Sequence, residues 1–148
     1  MAVKPLKIYK ALADETRLRL VRLLMRGALN VNEIIGILGM GQSRISRHLK
    51  ILSEAELVTK RREGTWIYYE GNGQSPETVV VEAIEMCQRH EHMLPSYTED
   101  LQALESVVEG RRQQMRNFFD NIEDPDQLQQ APDGNYYRKI AIEKVPGN

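Results

Sequence analysis

The residues best equipped for chemistry lie together in Gln42-Ser43-Arg44-Ile45-Ser46-Arg47-His48-Leu49-Lys50-Ile51-Leu52. Ile45, Leu49 and Leu52 recur at helical spacing and predict one buried stripe. The opposite face then carries Gln42, Ser43, Arg44, Ser46, Arg47 and Lys50, with no acid before Glu54. A face that served only solubility would mix both signs of charge. This one is cationic and rich in hydrogen-bonding groups. A helix fits the major groove of duplex DNA, where arginine matches guanine O6 and N7 and glutamine matches the adenine edge. The N-terminal end of such a helix points deepest, and most of these residues fall near that end. Reading base edges in duplex DNA is the chemistry this pattern suits.

A second basic group, Lys60, Arg61 and Arg62, runs into Glu63-Gly64. Leu57–Arg62 and Thr65–Tyr69 are rich in β-branched and aromatic residues around that glycine, which predicts a β-hairpin. Alternation along the strand puts Lys60 and Arg62 on one face and Arg61 on the other. A basic hairpin tip can follow a phosphate backbone or probe the minor groove. Trp66, Tyr68 and Tyr69 are expected to pack the hairpin onto the helices.

The remaining chemistry is sparse. Cys87, His90, Glu91 and His92 form the one cluster with metal-ligand types. On a helix Cys87, His90 and Glu91 share a side, and His92 is rotated away by about 140°. No second motif completes a tetrahedral set, so no metal is assigned. Cys87 reads as a small buried hydrophobe, with nothing beside it to lower its pKa as a redox sensor would need. Ser43 and Ser46 lack a base arranged for a triad, and Glu63 and Glu70 are not a catalytic pair. No catalytic residue, cofactor or enzymatic role is expected. His48 sits at the edge of the apolar stripe, where it packs or touches a phosphate. Arg17, Arg19, Arg22 and Arg26 are expected to form a solvated helix face.

Positioning the basic residues requires a frame. Residues 4–26 predict two helices, the second capped by Asp14 or Thr16 and stopped at Gly27. Asn30-Val31-Asn32-Glu33 has the form of a capping box and opens a short helix through Ile34, Ile35, Ile37 and Leu38. Gly39-Met40-Gly41 breaks it, and the basic helix follows to about Ala55. Ser75-Pro76-Glu77 predicts a further helix start, ending near Pro95. Ser96-Tyr97-Thr98-Glu99 predicts a second capping box. Leu101, Leu104, Val108, Met115 and Phe118 then fall near a heptad pattern, interrupted by Arg111, to about Asp120. The expected order is helix, glycine turn, helix and basic hairpin: a mainly α winged helix-turn-helix with a β-hairpin wing and an extra C-terminal helix. The expected divisions are a DNA-binding domain over 1–95, a helical extension over 96–120, and a partly disordered linker and tail over 121–148.

Bulk properties agree with a DNA-binding module of this kind. The chain has 148 residues and one cysteine, so no intrachain disulfide is possible. No run approaches the ~18 apolar residues of a membrane span, and the first ten residues lack a secretory apolar stretch; a cytoplasmic protein with no membrane partner is expected. Residues 1–73 hold 13 Lys/Arg and 7 Asp/Glu (+6), residues 74–148 hold 7 and 14 (−7), summing to the net −1. A basic half and an acidic half suggest a polyanion-binding module and a segment with another task.

Ala11–Leu20, Gln42–Lys50 and Leu57–Tyr69 together resemble the ArsR/SmtB family of bacterial repressors, over roughly the first 95 residues. The resemblance implies a homodimer bound to double-stranded DNA and released by an effector, here unknown. It also implies that the helix starting near Ser75 pairs with its mate, assisted by the N-terminal helix. Many members carry closely spaced cysteines on the helix that corresponds to Val31–Leu38; this chain has none there, which removes thiolate metal chemistry from that position. Arg111–Asp120 resembles the junction of family proteins fused to an S-adenosylmethionine-dependent methyltransferase, but no glycine-rich cofactor loop follows. The alternative function keeps the fold and makes the acidic C-terminal helix, with Leu101, Leu104, Val108 and Phe118, a docking surface for a partner protein.

Overall fold

The computed structural model describes residues 5–121. In chain order the elements are α1 (Pro5–Leu12), α2 (Glu15–Leu24), β1 (Leu29–Asn30), α3 (Val31–Leu38), α4 (Gln42–Glu54), β2 (Val58–Glu63), β3 (Trp66–Gly71), α5 (Thr78–Arg89), a 3-10 turn (Glu91–Met93) and α6 (Tyr97–Asp120). This is the expected mainly α architecture with a β wing. Apart from Asn121, the expected tail over 121–148 lies outside the described residues, as does its extended segment Tyr136–Ile142.

Local chemistry accounts for most boundaries. Asp14 is extended and its carboxylate accepts the Arg17 N–H at 3.0 Å, capping α2. Asn30 and Glu33 form the reciprocal capping box of α3. Gly39 ends α3 with φ 66°, a left-handed conformation that a side chain resists. Gly64 makes the wing turn with φ 61°, between the closing pair Glu63↔Trp66.

Ile45, Leu49 and Leu52 of α4 are fully buried in one continuous core that α2, α3 and α5 also enter. Burying each such side chain stabilises the fold by about 1.5–3 kcal/mol. The sheet is antiparallel with order β1-β3-β2. Strand β1 pairs Leu29 with Tyr69 and Asn30 with Tyr68; two residues are too few to leave a periodic signature.

One expected helix start moves, and one expected capping box is missing. Ser75 caps no helix: its Oγ accepts the Glu77 N–H at 3.1 Å in a turn, and α5 begins at Thr78. It ends at Arg89, short of Pro95. The box at Ser96 does not form either. Ser96 adopts a left-handed φ of 61° and its hydroxyl makes no capping hydrogen bond; its carbonyl accepts the Asp100 N–H at 2.9 Å. Helix α6 packs on α2 and α3, with Leu104 and Val108 buried.

Candidate nucleic-acid interface

Helix α4 packs on α3 and against β2, with Ile45, Leu49 and Leu52 in the shared core. Its other face is open: Gln42, Ser43, Arg44, Ser46, Arg47 and Lys50 are all exposed. Gly41 starts the helix without a side-chain cap, so N–H groups of the first turn are free to meet an acceptor. Among the described residues, Arg44, Arg47 and Lys50 make no ion pair, nor do Lys60 and Arg62 of β2. Arg61 is exposed but differs, lying 3.8 Å from the carboxylates of both Glu63 and Glu70. Unpaired guanidinium and ammonium groups on a convex helix and hairpin are a surface for polyanions.

The wing corrects one expectation. Tyr68 is buried and Tyr69 half-buried, but Trp66 is 50% exposed and Ile67 41%. The hairpin tip reaches past the core, which leaves its aromatic residue half in solvent.

The arginines of α2 correct another. They are not a solvated face. Arg17 donates from Nε to the Ala11 carbonyl at 2.6 Å and from NH2 to that of Lys10 at 3.3 Å, closing the end of α1. Its NH1 lies 3.2 Å from Nδ1 of His48. Arg22 is 2% exposed. It donates to the Glu91 and Pro95 carbonyls, each at 3.0 Å, and to Asp100 Oδ2 at 2.6 Å. Arg19 takes Asp100 in a two-pronged pair at 2.8 and 2.9 Å, and the hydrogen bond to that carboxylate raises its pKa further. Arg26 pairs with Glu91.

Arg111 does not interrupt the α6 seam but lies within it, 5% exposed. Its Nε donates to Glu33 Oε2 at 2.6 Å and its NH2 to Glu33 Oε1 and to the Ala28 carbonyl. Its guanidinium lies 5.6 Å from the Tyr68 ring centre. The carboxylate that caps α3 is thus held from α6. No local pattern pairs residues 78 positions apart; the one sequence signal is an arginine standing where the heptad asks for an apolar side chain.

The metal-like cluster is not assembled. Cys87 is buried, and burial pushes its thiol pKa up. Glu91 is committed to Arg26, and His90 is exposed beyond the end of α5. Among the described residues no three His, Cys, Asp or Glu side chains could hold a metal together. The docking surface proposed for α6 is also largely taken, since Leu104 and Val108 are covered by the chain itself. No helix among the described residues is long and apolar enough to cross a membrane.

Comparison with known proteins bears on this surface directly. Residues 14–60, from the α2 cap through α4 into β2, match the family described as bacterial regulatory protein, arsR family. The chain is 41% identical over 80 residues to the arsenical resistance operon repressor of Bacillus subtilis (strain 168), spanning 53% of this chain and 74% of that one. It is 44% identical over 66 residues to the arsenical resistance operon repressor of Escherichia coli (strain K12), spanning 44% of this chain and 56% of that one. The solved structure of reduced HlyU from Vibrio cholerae N16961 is 32% identical, with a TM-score of 0.49 over 57% of this chain and 84% of that one. A helix-turn-helix with an open cationic α4, matched across three quarters of a known repressor, leaves one conclusion: the chain belongs to the ArsR family of DNA-binding transcriptional regulators.

Proposed function

We propose that the chain is a repressor that binds a palindromic operator as a homodimer and leaves it when an effector binds. The observation that carries this reading is α4: six polar and cationic residues stand exposed over a spine that is 0% exposed at Ile45, Leu49 and Leu52. In this reading Gln42, Arg44 and Arg47 read bases, while Ser43, Ser46 and Lys50 touch bases or backbone. Lys60, Arg61 and Arg62 lie along phosphates; Arg61 would first let go of Glu63 and Glu70. Two copies of α4 would enter successive major grooves about 34 Å apart. Residues 1–95 would bind and dimerise, and 96–120 would brace them from behind. A regulator of chromosomal DNA works in the cytoplasm. No metal or cofactor is needed for the contact itself.

Selection of bound sequences from a random duplex pool tests the reading. An inverted repeat should emerge, with affinity falling with salt at a log–log slope of about −0.9 per neutralised phosphate. Arg44→Ala or Arg47→Ala should cost about 1–3 kcal/mol and relax preference at one position per half-site, whereas Lys60→Ala or Arg62→Ala should weaken every sequence alike. Equal losses on every sequence for both groups would overturn the assignment of α4 to base reading.

A further inference from the structure

A cavity of about 340 Å³ opens beside the buried arginines, lined by Arg22, Met25, Arg26, Gln88 and Glu91. Its wall carries two of three clustered arginines. Arg19, Arg22 and Arg26 bring three positive charges, and their ion-pair partners Asp100 and Glu91 bring two negative ones. Both Asp100 oxygens are engaged by Arg19 and Arg22. Arg19 also feels Glu15 and Glu99, which leaves Asp100 to Arg22 and Glu91 to Arg26 beside the cavity. There the Nε groups of both arginines are buried and have no hydrogen-bond partner among the described residues. A buried donor without an acceptor is an unmet demand. The two side chains differ in freedom. Arg22 is 1% exposed and held at three points, whereas Arg26 is 30% exposed and held by Glu91.

We propose that this cavity is the effector site, and that it takes a small anion whose carboxylate or similar oxoanion head competes with Glu91 for the guanidinium of Arg26. A planar guanidinium fork matches such a head group, and the volume is at the low end of small-molecule sites, whose range starts at about 300 Å³. Gln88 supplies an amide that donates or accepts next to the head group. The ligand's consequence rests on the repressor reading; its binding does not.

The route to DNA runs through Met25. It lines the cavity and also covers the base of the wing. A Cβ on Gly71 would collide with Met25 Sδ, and one on Gly73 would lie 3.1 Å from its Cε. Gly71 is the last residue of β3 and pairs with Val58 at the start of β2. A ligand that shifts Met25 therefore presses on the hinge of the strand that carries Lys60–Arg62. Release of Glu91 acts at the same time on the turn between α5 and α6.

The test uses the full chain labelled with ¹⁵N, following arginine Nε–H resonances by NMR. Acetate, succinate and inorganic phosphate are titrated against chloride at matched ionic strength, which separates carboxylate from phosphate preference. Saturable shifts at arginine Nε–H signals are expected with at least one of them, and Arg26→Gln should abolish them. Glu91→Gln should tighten binding about two- to fivefold, the ratio that corresponds to removing a partly exposed competing ion pair; a purely structural pair would only lose thermal stability. Shifts that never saturate, or that persist in Arg26→Gln, mean an adventitious ion only and overturn the site.

A second arm measures anisotropy of the selected duplex. The anion should weaken duplex binding at constant ionic strength, and Met25→Ala should keep the NMR shifts but lose that effect. If the duplex binds and the anion binds without altering it, the effector role is wrong. If the anion binds but no duplex ever does, the repressor reading fails and the site stands.

Discussion

Arg17 NH1 lies 3.2 Å from Nδ1 of His48. A guanidinium only donates, so this contact favours the neutral imidazole with its Nδ1 accepting. Burial lowers the His48 pKa first, and the charges of Arg17, Arg44 and Arg47 lower it further against the opposing pull of Asp14. Asp14 is depressed as well. Its partial burial works upward but is outweighed by the Arg17 backbone hydrogen bond, by the charge of Arg17 and, in the acid range where the imidazole is protonated, by the charge of His48. Both groups bind protons more readily in the unfolded chain. Stability from His48 is therefore present above about pH 6.5, its unfolded value, and is lost as pH falls through it; the Asp14 loss follows below about pH 4. His48→Gln should flatten the decline in urea midpoint between pH 7.5 and 5.5. An unchanged slope would show that His48 is not neutral in the fold.

At the scale of elements, α3 and α6 share one carboxylate. Glu33 accepts the Asn30 N–H in the capping box and two donors from Arg111. Removing Arg111 leaves that carboxylate without its buried partner, which costs about 3–5 kcal/mol. Removing the Asn30 cap costs about 1 kcal/mol. Because both act on Glu33, a double-mutant cycle of Arg111→Met and Asn30→Ala in urea should be non-additive by at least ~0.5 kcal/mol. Additive losses would mean that α6 braces α3 by packing alone. The wing shows the converse, an element tip left unsupported, with Trp66 half in solvent.

For the whole molecule, the basic and acidic halves turn out to be partly complementary within one chain. Asp100 and Glu91 from the acidic half neutralise Arg19, Arg22 and Arg26 from the basic half, while the cations of α4 make no ion pair among the described residues. Adjacent helices α1 and α5 leave Leu6 (61%), Tyr9 (61%) and Met86 (50%) exposed. Apolar side chains on neighbouring helices fit the proposed twofold interface, which for a stable pair buries about 1,600 Å². Met86→Glu or Tyr9→Glu should give monomers by sedimentation and lose operator binding, since one half-site alone is held weakly. Variants that remain dimers would place the interface elsewhere.

The helix-turn-helix was legible because everything that specifies it is short-range. The Asn30–Glu33 cap, the left-handed Gly39, and the recurrence of Ile45, Leu49 and Leu52 all act within a few residues, and the exposed face of α4 follows from its buried one. The hairpin was legible for the same reason, down to the strand that carries Lys60–Arg62. Ser75 misled because a hydroxyl that can cap a helix can also close a turn, and Ser96 stands at the start of α6 without its box because its left-handed backbone makes no hydroxyl cap. The fate of the α2 and α6 arginines was beyond local reading. Whether a guanidinium faces water or a carboxylate 78 residues away depends on which helices meet, and that is decided by packing. Sequence determined the open cationic helix; tertiary structure decided what stands behind it, because only the assembled core brings Asp100, Glu91 and Glu33 within reach of buried charge.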